Sequence, residues 1–344
     1  MKRRRRLWMF LLAAPLVLLA AHTLYWRLAV DRLSDGFKTW MAQQRAAGWT
    51  EHYGTEVQGG WPLAATVTVP AMSMAGGQPD IPGGLSWSAD RVVLRVALVR
   101  PSRLDIAAAG QQLLRLAGEA EVHYTADRLR LVVPLWGGAR SASADFTADN
   151  VRADVPGGEA SVELVRLHLE ILPPAQSGES AIGFRLRAEG IGPPAGMMRP
   201  LGPRIATLAL EGALNGPVAT GQTLAERAAA WRDGGGSLEL QHLALVWGPL
   251  DLTGSATLAL DDQLQPMGTG SARMVGYAET LDALAAHAVI SRSAAIPAKA
   301  VLSLLARTPD DGGPPDVEVP LTLQFRTLSM RQVPLVRLPE VDWP

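Results

Sequence analysis

Cysteine is absent from all 344 residues, which removes disulfides, thiolate metal sites and thiol nucleophiles from consideration. The six histidines, His22, His52, His123, His168, His242 and His287, are scattered without a second ligand three or four residues away. Their spacing therefore gives no metal centre. No Ser stands in a G-x-S-x-G turn, and no phosphate loop with its Lys occurs. The carboxylate pairs Asp261-Asp262 and Asp310-Asp311 flank turns, where solvated caps are expected rather than acid–base work. Gly190-x-Gly192 runs into Pro193 and Pro194, which block the helix that would receive a dinucleotide phosphate. The expectation is a protein that is not an enzyme, with no cofactor, no metal and no catalytic residue.

Excess positive charge is also lacking. The chain carries a formal net charge of -1, and setting aside Lys2 and Arg3 to Arg6 leaves about -6, so no nucleic-acid partner is expected. Turn-formers are plentiful, with 34 Gly and 25 Pro, while a hydrophobic fraction of 48% is too high for disorder. Many short elements around a buried core follow, in a domain large enough to do without disulfides.

The stretch from Leu7 to Trp26 is about 20 residues without formal charge, enough for one helical crossing of a bilayer core. Five cations precede it and hold the N-terminus on the cytoplasmic side. The candidate membrane-anchor residues are Arg4, Arg5, Arg6, Leu7, Phe10, Leu12, Leu16, Leu18, Tyr25 and Trp26, the last two at headgroup depth. A cleaved secretory signal shares the basic start. It fits less well, because Leu19-Ala20-Ala21 puts a large residue where a peptidase prefers a small one. Beyond the span, Val30, Leu33, Phe37, Trp40 and Gln44 recur at helical steps and Gly48 is a stop signal. The domain reading is a basic tip and anchor over 1–27, a juxtamembrane helix over 28–48 and an exported β-rich body over 49–344. A sub-boundary falls near 189–203, whose Gly and Pro exclude a regular element.

In the body, alternation replaces the helical period. Val92, Leu94, Val96 and Leu98 share one face of a strand, Leu129, Leu131, Val133 and Leu135 another, and Ile182, Phe184 and Leu186 a third. Arg91, Arg95, Arg128, Arg130, Arg185 and Arg187 take the opposite faces, the pattern of antiparallel sheet with one solvated side. Ala89-Asp90-Arg91-Val92, Ala126-Asp127-Arg128-Leu129 and Ala148-Asp149-Asn150-Val151 echo one another, each opening a strand-like run; turn chemistry alone or a true repeat would produce this. A phase slip at His242 predicts a bulge. Thr223 and Glu226 predict a capping box opening a helix that Gly234 to Gly236 closes. Two further helices are expected near 277–289 and 297–306, the second begun by Pro297. The fold class is α+β, mainly antiparallel: a long curved sheet of amphipathic strands with a few covering helices, preceded by one transmembrane helix.

Gly60-Trp61-Pro62-Leu63, Ala47-Gly48-Trp49, Leu245 to Leu250, Gly268-Thr269-Gly270 before Val275-Gly276-Tyr277, and the closing Leu338-Pro339 together carry a resemblance. With the N-terminal anchor they resemble a domain-of-unknown-function family, number 2125, with Trp61 where Phe is expected. The resemblance implies single-pass inner-membrane proteins of Gram-negative bacteria with a periplasmic β-rich body and no established activity. More distantly, the plan resembles AsmA-type envelope proteins, which implies lipid or glycolipid handling through an apolar groove. Candidate groove residues are Val92, Leu94, Val96, Leu98, Leu129, Leu131, Val133, Leu250, Leu252 and Leu258. Two outcomes stay open: a trough that presents this face to acyl chains, or helices that cover it completely. The implied partners are the inner membrane and lipid or glycolipid; the alternative function is a scaffold binding another envelope protein through its β surface.

Overall fold

Alternating apolar residues make strands here because each strand can bury one side only, and the solution adopted is one long curved antiparallel sheet. The computed structural model describes residues 2–77, 84–116, 120–135, 142–171, 180–216, 223–308, 313–330 and 333–343, with the side chains of the first helix described from residue 14 onward. That helix, α1 (Lys2–Ala46), is continuous through the expected anchor and juxtamembrane segments, and the chain leaves it at Gly48.

Among the described residues seventeen strands form the sheet. They are β1 (Thr50–His52), β2 (Val57–Gly59), β3 (Ala64–Gly76), β4 (Leu85–Ala97), β5 (Arg100–Leu116), β6 (Val122–Thr125), β7 (Arg128–Pro134), β8 (Ala142–Val155) and β9 (Gly158–Ile171) in the first part. The second part has β10 (Ser180–Ile191), β11 (Ile205–Asn215), β12 (Ser237–Trp247), β13 (Leu250–Leu260), β14 (Pro266–Val275), β15 (Asp316–Gln324), β16 (Thr327–Met330) and β17 (Val333–Arg337). Three helices interrupt it: α2 (Leu224–Asp233), α3 (Tyr277–Ala286) and α4 (Arg292–Leu305). Pairing follows chain order. β1 and β2 lie end to end along β3, β6 and β7 together fill one place between β5 and β8, and the rest is a meander to β17.

The core sits between α1 and the first strands. Val30, Phe37 and Met41 are buried with Ala65, Val67, Val69, Met72, Val92 and Leu94. Burial of each large side chain contributes about 1.5–3 kcal/mol, so the helix past Trp26 is part of the body rather than a separate spacer. Ser34 Oγ donates to Glu56 Oε2 at 2.6 Å, and the Phe37 and Tyr53 rings meet edge to face at 5.3 Å. A second cluster lies under α3 and α4, where Ala272, Leu302, Val317 and Val319 pack with Leu252 and Leu281.

Several expectations are met. The Glu226 N–H donates to Thr223 Oγ1 and the Thr223 N–H to Glu226 Oε2, and Gly234 closes α2. Register shifts on both sides of β12 put a bulge at Gln241–His242. Asp261 Oδ1 accepts from the N–H groups of Gln263 and Gln265, capping its turn; Asp310 and Asp311 lie outside the described residues. Two expectations are corrected. α4 begins at Arg292, so Pro297 lies inside the helix and not at its start. The stretch 189–203 does begin in a regular element, since β10 runs to Ile191; Gly192 then bridges Ser161 and the remainder is a loop that folds against the sheet, with Trp247 Nε1 donating to Gly202 O at 3.0 Å.

The Ala-Asp echo marks a transverse crease: at Asp127 it opens β7 as expected, while at Asp90 and Asp149 it falls inside β4 and β8. Ala71 in β3 has φ 49 and faces Asp90 in β4, which faces the bulge Gly110–Gln111 in β5. Next comes the break between β6 and β7 at Asp127, then Asn150 with φ 50 in β8, then Gly190 with φ 62 in β10. Local hydrogen bonds hold the line: the Gln111 N–H donates to Asp90 Oδ2 at 2.7 Å and Asn150 Nδ2 to Asp127 Oδ2 at 2.7 Å. Side-chain phase reverses there, since Val67, Val69, Val92 and Leu94 before the bend share a face with Met72, Met74, Trp87 and Ala89 beyond it. At Gly110, with φ 86, a Cβ would collide with the Asp90 carboxylate. Gly110→Ala is therefore expected to lower the free energy of unfolding by about 1–3 kcal/mol, measured by urea titration of the full chain in detergent; an unchanged midpoint would show that the crease tolerates a side chain.

Candidate functional site

An apolar cavity of about 1050 Å³ opens between α1 and the first strands. Its helical wall follows from spacing: Tyr25, Leu28, Arg32, Gly36 and Trp40 lie at three- and four-residue steps, one stripe around from the buried Val30, Phe37 and Met41. Its sheet wall follows from alternation: Val92, Leu94 and Val96 of β4, Leu104, Ile106 and Ala108 of β5, and Leu129, Leu131 and Val133 of β7. Phe146 of β8 adds to this wall beside Leu131, while Met72, Met74 and Trp87 close the side beyond the crease.

Of the ten candidate groove residues, Val92, Leu94, Val96, Leu129, Leu131 and Val133 line this cavity. Leu98 is buried in the core at the β4–β5 turn. The other three lie elsewhere. Leu252 packs into the cluster under α3 and α4, and Leu258 lines a smaller apolar pocket of about 400 Å³ beneath α2 with Trp231 and Trp343. Leu250 pairs with Trp247 at the β12–β13 turn. The apolar face is thus covered by α3 and α4 at β13–β15, leaves a smaller pocket beneath α2, and is held open by α1 over its first strands. Residues not singled out by alternation in the sequence join in three ways: Trp87 through the phase reversal, Phe146 through its place opposite Leu131 in β8, and Ile106 through β5, whose 104, 106, 108 alternation was a readable signal.

Two cations border the cavity, and they differ. Arg130 is chelated by Asp105, with Nε at 2.6 Å and Nη2 at 2.5 Å from its carboxylate, which raises its pKa further. Arg32 is exposed and has no hydrogen-bond or ion-pair partner among the described residues. At the deep side Trp87 Nε1 donates to Tyr124 Oη at 2.8 Å. Burial pushes the Tyr124 phenol above its ordinary 10.0, offset in part by that hydrogen bond, so it stays neutral in physiological conditions. Opposite Tyr124 and Ala89 in register lies Gln112 of β5, 1% exposed, with neither amide atom hydrogen-bonded to another protein group.

The opposite face of these strands is polar and laced with cross-strand pairs, among them Arg128–Asp149 at 2.9 Å, His168–Asp145 at 2.7 Å and Arg185–Glu211 at 2.6 Å. Such exposed pairs contribute little each; the Arg185 hydrogen bond holds the Glu211 carboxyl below its ordinary value. No group of three His, Asp or Glu suited to a metal occurs among the described residues.

Along α1 the described anchor candidates Leu16 and Leu18 are 66% and 70% exposed and Tyr25 is 45% exposed, while Trp26 Nε1 donates to Ala64 O at 3.0 Å. No helix among the described residues is long and apolar enough to cross a membrane. Arg4, Arg5, Arg6, Leu7, Phe10 and Leu12 have side chains outside the described set.

Fold and site together define a class: a β-rich protein in which a long N-terminal helix props open one end of an amphipathic sheet. The chain belongs to the family described as uncharacterized protein conserved in bacteria (DUF2125), matched over residues 26–339. No curated protein and no solved structure matches it, and these comparisons do not show the likeness to AsmA-type proteins.

Two substitutions test the polar groups behind Trp87. Gln112→Met removes a buried amide without protein partners and is expected to raise stability by about 1 kcal/mol, whereas Tyr124→Phe strands the Trp87 N–H and is expected to cost about 1 kcal/mol. Urea midpoints of the full chain read both, and a Gln112→Met loss would mean that the amide is satisfied by a bound group.

Proposed function

We propose that this protein is a non-enzymatic binder of lipid or glycolipid, tethered to the inner membrane through Leu7 to Trp26, with its body in the periplasm. The observation that carries the reading is the cavity between α1 and β3–β8, whose walls are almost wholly aliphatic and aromatic and whose volume suits acyl chains better than a polar solute. Its location supports the tether: the lining starts at Tyr25, the last turn of the apolar run, so the cavity begins where the bilayer would end. The five N-terminal cations and the length of the apolar run support the orientation. Arg32, exposed at the helical wall and free of an internal counter-ion, suits an anionic headgroup.

A second reading, a scaffold for another envelope protein, draws on α4, where Ile296 and Leu304 are 73% and 87% exposed. Crosslinking from Leu304 to one reproducible protein, unaffected by changes in the cavity, would favour it.

Gly36 gives the direct test of the lipid reading. It lines the cavity, and a Cβ there meets nothing within 4 Å, so Gly36→Trp fills the space while improving helix propensity. With the full chain in vesicles containing a photoactivatable phospholipid, the wild type is expected to crosslink within β4, β5 and β7, and Gly36→Trp to lose roughly tenfold of that signal. Arg32→Glu should lower capture of phosphatidylglycerol relative to phosphatidylcholine. Equal crosslinking of wild type and Gly36→Trp would sink the proposal.

A further inference from the structure

The loop Gly60–Leu63 and the β4–β5 turn stand beside the membrane-proximal part of α1. His22 Nε2 lies 2.7 Å from Pro62 O, and Trp26 Nε1 donates to Gly59 O and Ala64 O. The Leu98 N–H donates to Leu63 O at 3.1 Å, joining loop and turn. Their outward side chains are apolar: Trp61 is 49% exposed, Leu63 72% and Val99 87%. Each would be costly in water as a cluster, and none packs on the core.

Depth follows from helix geometry. His22 precedes Trp26 by four residues, or about 6 Å along the axis. If Trp26 marks the headgroup layer, a loop bonded to His22 reaches about 6 Å further in, the depth at which interfacial apolar groups are seated. Arg100 follows Val99 directly and Arg103 lies three residues on; both are exposed and neither has an ion-pair partner among the described residues. An apolar tip with cations behind it matches the layering of a bilayer with acidic headgroups.

We infer that Trp61, Leu63 and Val99 form a wedge inserted in the outer leaflet of the membrane that holds α1, with Arg100 and Arg103 on its acidic headgroups. The inference rests on the anchoring proposed above. The wedge also adjoins the cavity: Pro101 and Leu135 line it, and the Leu135 N–H donates to Ser102 O at 2.9 Å. An acyl chain displaced by the tips therefore meets an apolar path into the cavity without crossing water.

Because the chain lacks cysteine, single thiols report position cleanly. Leu63→Cys, Val99→Cys and, as reference, Leu304→Cys on α4 are labelled with a bimane fluorophore in the full-length protein. Each is reconstituted into vesicles of phosphatidylethanolamine and phosphatidylglycerol. Labels at 63 and 99 are expected to be quenched by shallow nitroxide lipids and shielded from aqueous iodide, with the reverse at 304; replacing phosphatidylglycerol by phosphatidylcholine should weaken the shielding. Iodide quenching at 63 and 99 equal to that at 304, in protein that withstands an alkaline carbonate wash, would overturn the wedge and leave the anchor standing. Release by the wash would overturn the anchor and the wedge with it. In the same vesicles Leu63→Asp combined with Val99→Asp is expected to lower photocrosslinking in the cavity several-fold while the wash resistance stays; unchanged crosslinking would overturn the path from wedge to cavity.

Discussion

The seating of α1 on β3 and β4 is the contact on which the rest depends. Val30, Ser34, Phe37 and Met41 occupy successive helical turns and are all buried, facing valines of β3 that are themselves inaccessible. One helix thereby serves two purposes through two adjacent stripes. The buried stripe fixes the helix to the sheet, and the neighbouring stripe from Tyr25 to Trp40 forms the wall of the cavity. A change that tilts the helix would alter both at once. Residues 30–41 thereby supply the covering layer of the first strands.

The crease is the second constraint. A flat antiparallel sheet keeps one side-chain phase along each strand, and a strand of 13 residues such as β4 would then carry its apolar face in one direction throughout. Positive φ at Ala71, Gly110, Asn150 and Gly190 interrupts this on alternating strands, and the carboxylates of Asp90 and Asp127 satisfy groups that the bend exposes. The reversal brings Trp87 and Met74 to the same cavity as Val92 and Leu94. A strained backbone line is tolerated because pairing on both sides over-determines it.

Much of this was legible. Arginines at 91 and 95 opposite buried Val92, Leu94 and Val96 announce a half-buried strand, the Thr223–Glu226 box announces α2, and the slip at His242 announces a bulge. The echo around Asp90, Asp127 and Asp149 was visible as a pattern but not as a crease, since local sequence gives the tendency to bend while the register between strands makes the bends line up. Which part of the apolar face stays open was hidden for a similar reason. Leu131 and Leu252 read alike in alternation; one faces α1 and the other lies under α3 and α4 because of contacts between segments that are distant in sequence.

The sheet edges narrow what the cavity can do. β1 and β2 are three residues each and lie against α1, and β17 is five residues with Pro334 inside it. Short edges with proline resist strand addition, so lateral growth into a longer apolar surface is disfavoured at both sides. The cavity is lined by β3, β4, β5, β7 and β8, and farther along the sheet α3 and α4 pack on Leu252, Val317 and Val319. On the proposed reading, a lipid entering near Tyr25 is held at the first strands, and that helix cluster closes the apolar face at β13–β15. That geometry favours holding or presenting one lipid close to the membrane over conducting many across the envelope, and it places any onward transfer at an encounter with another molecule.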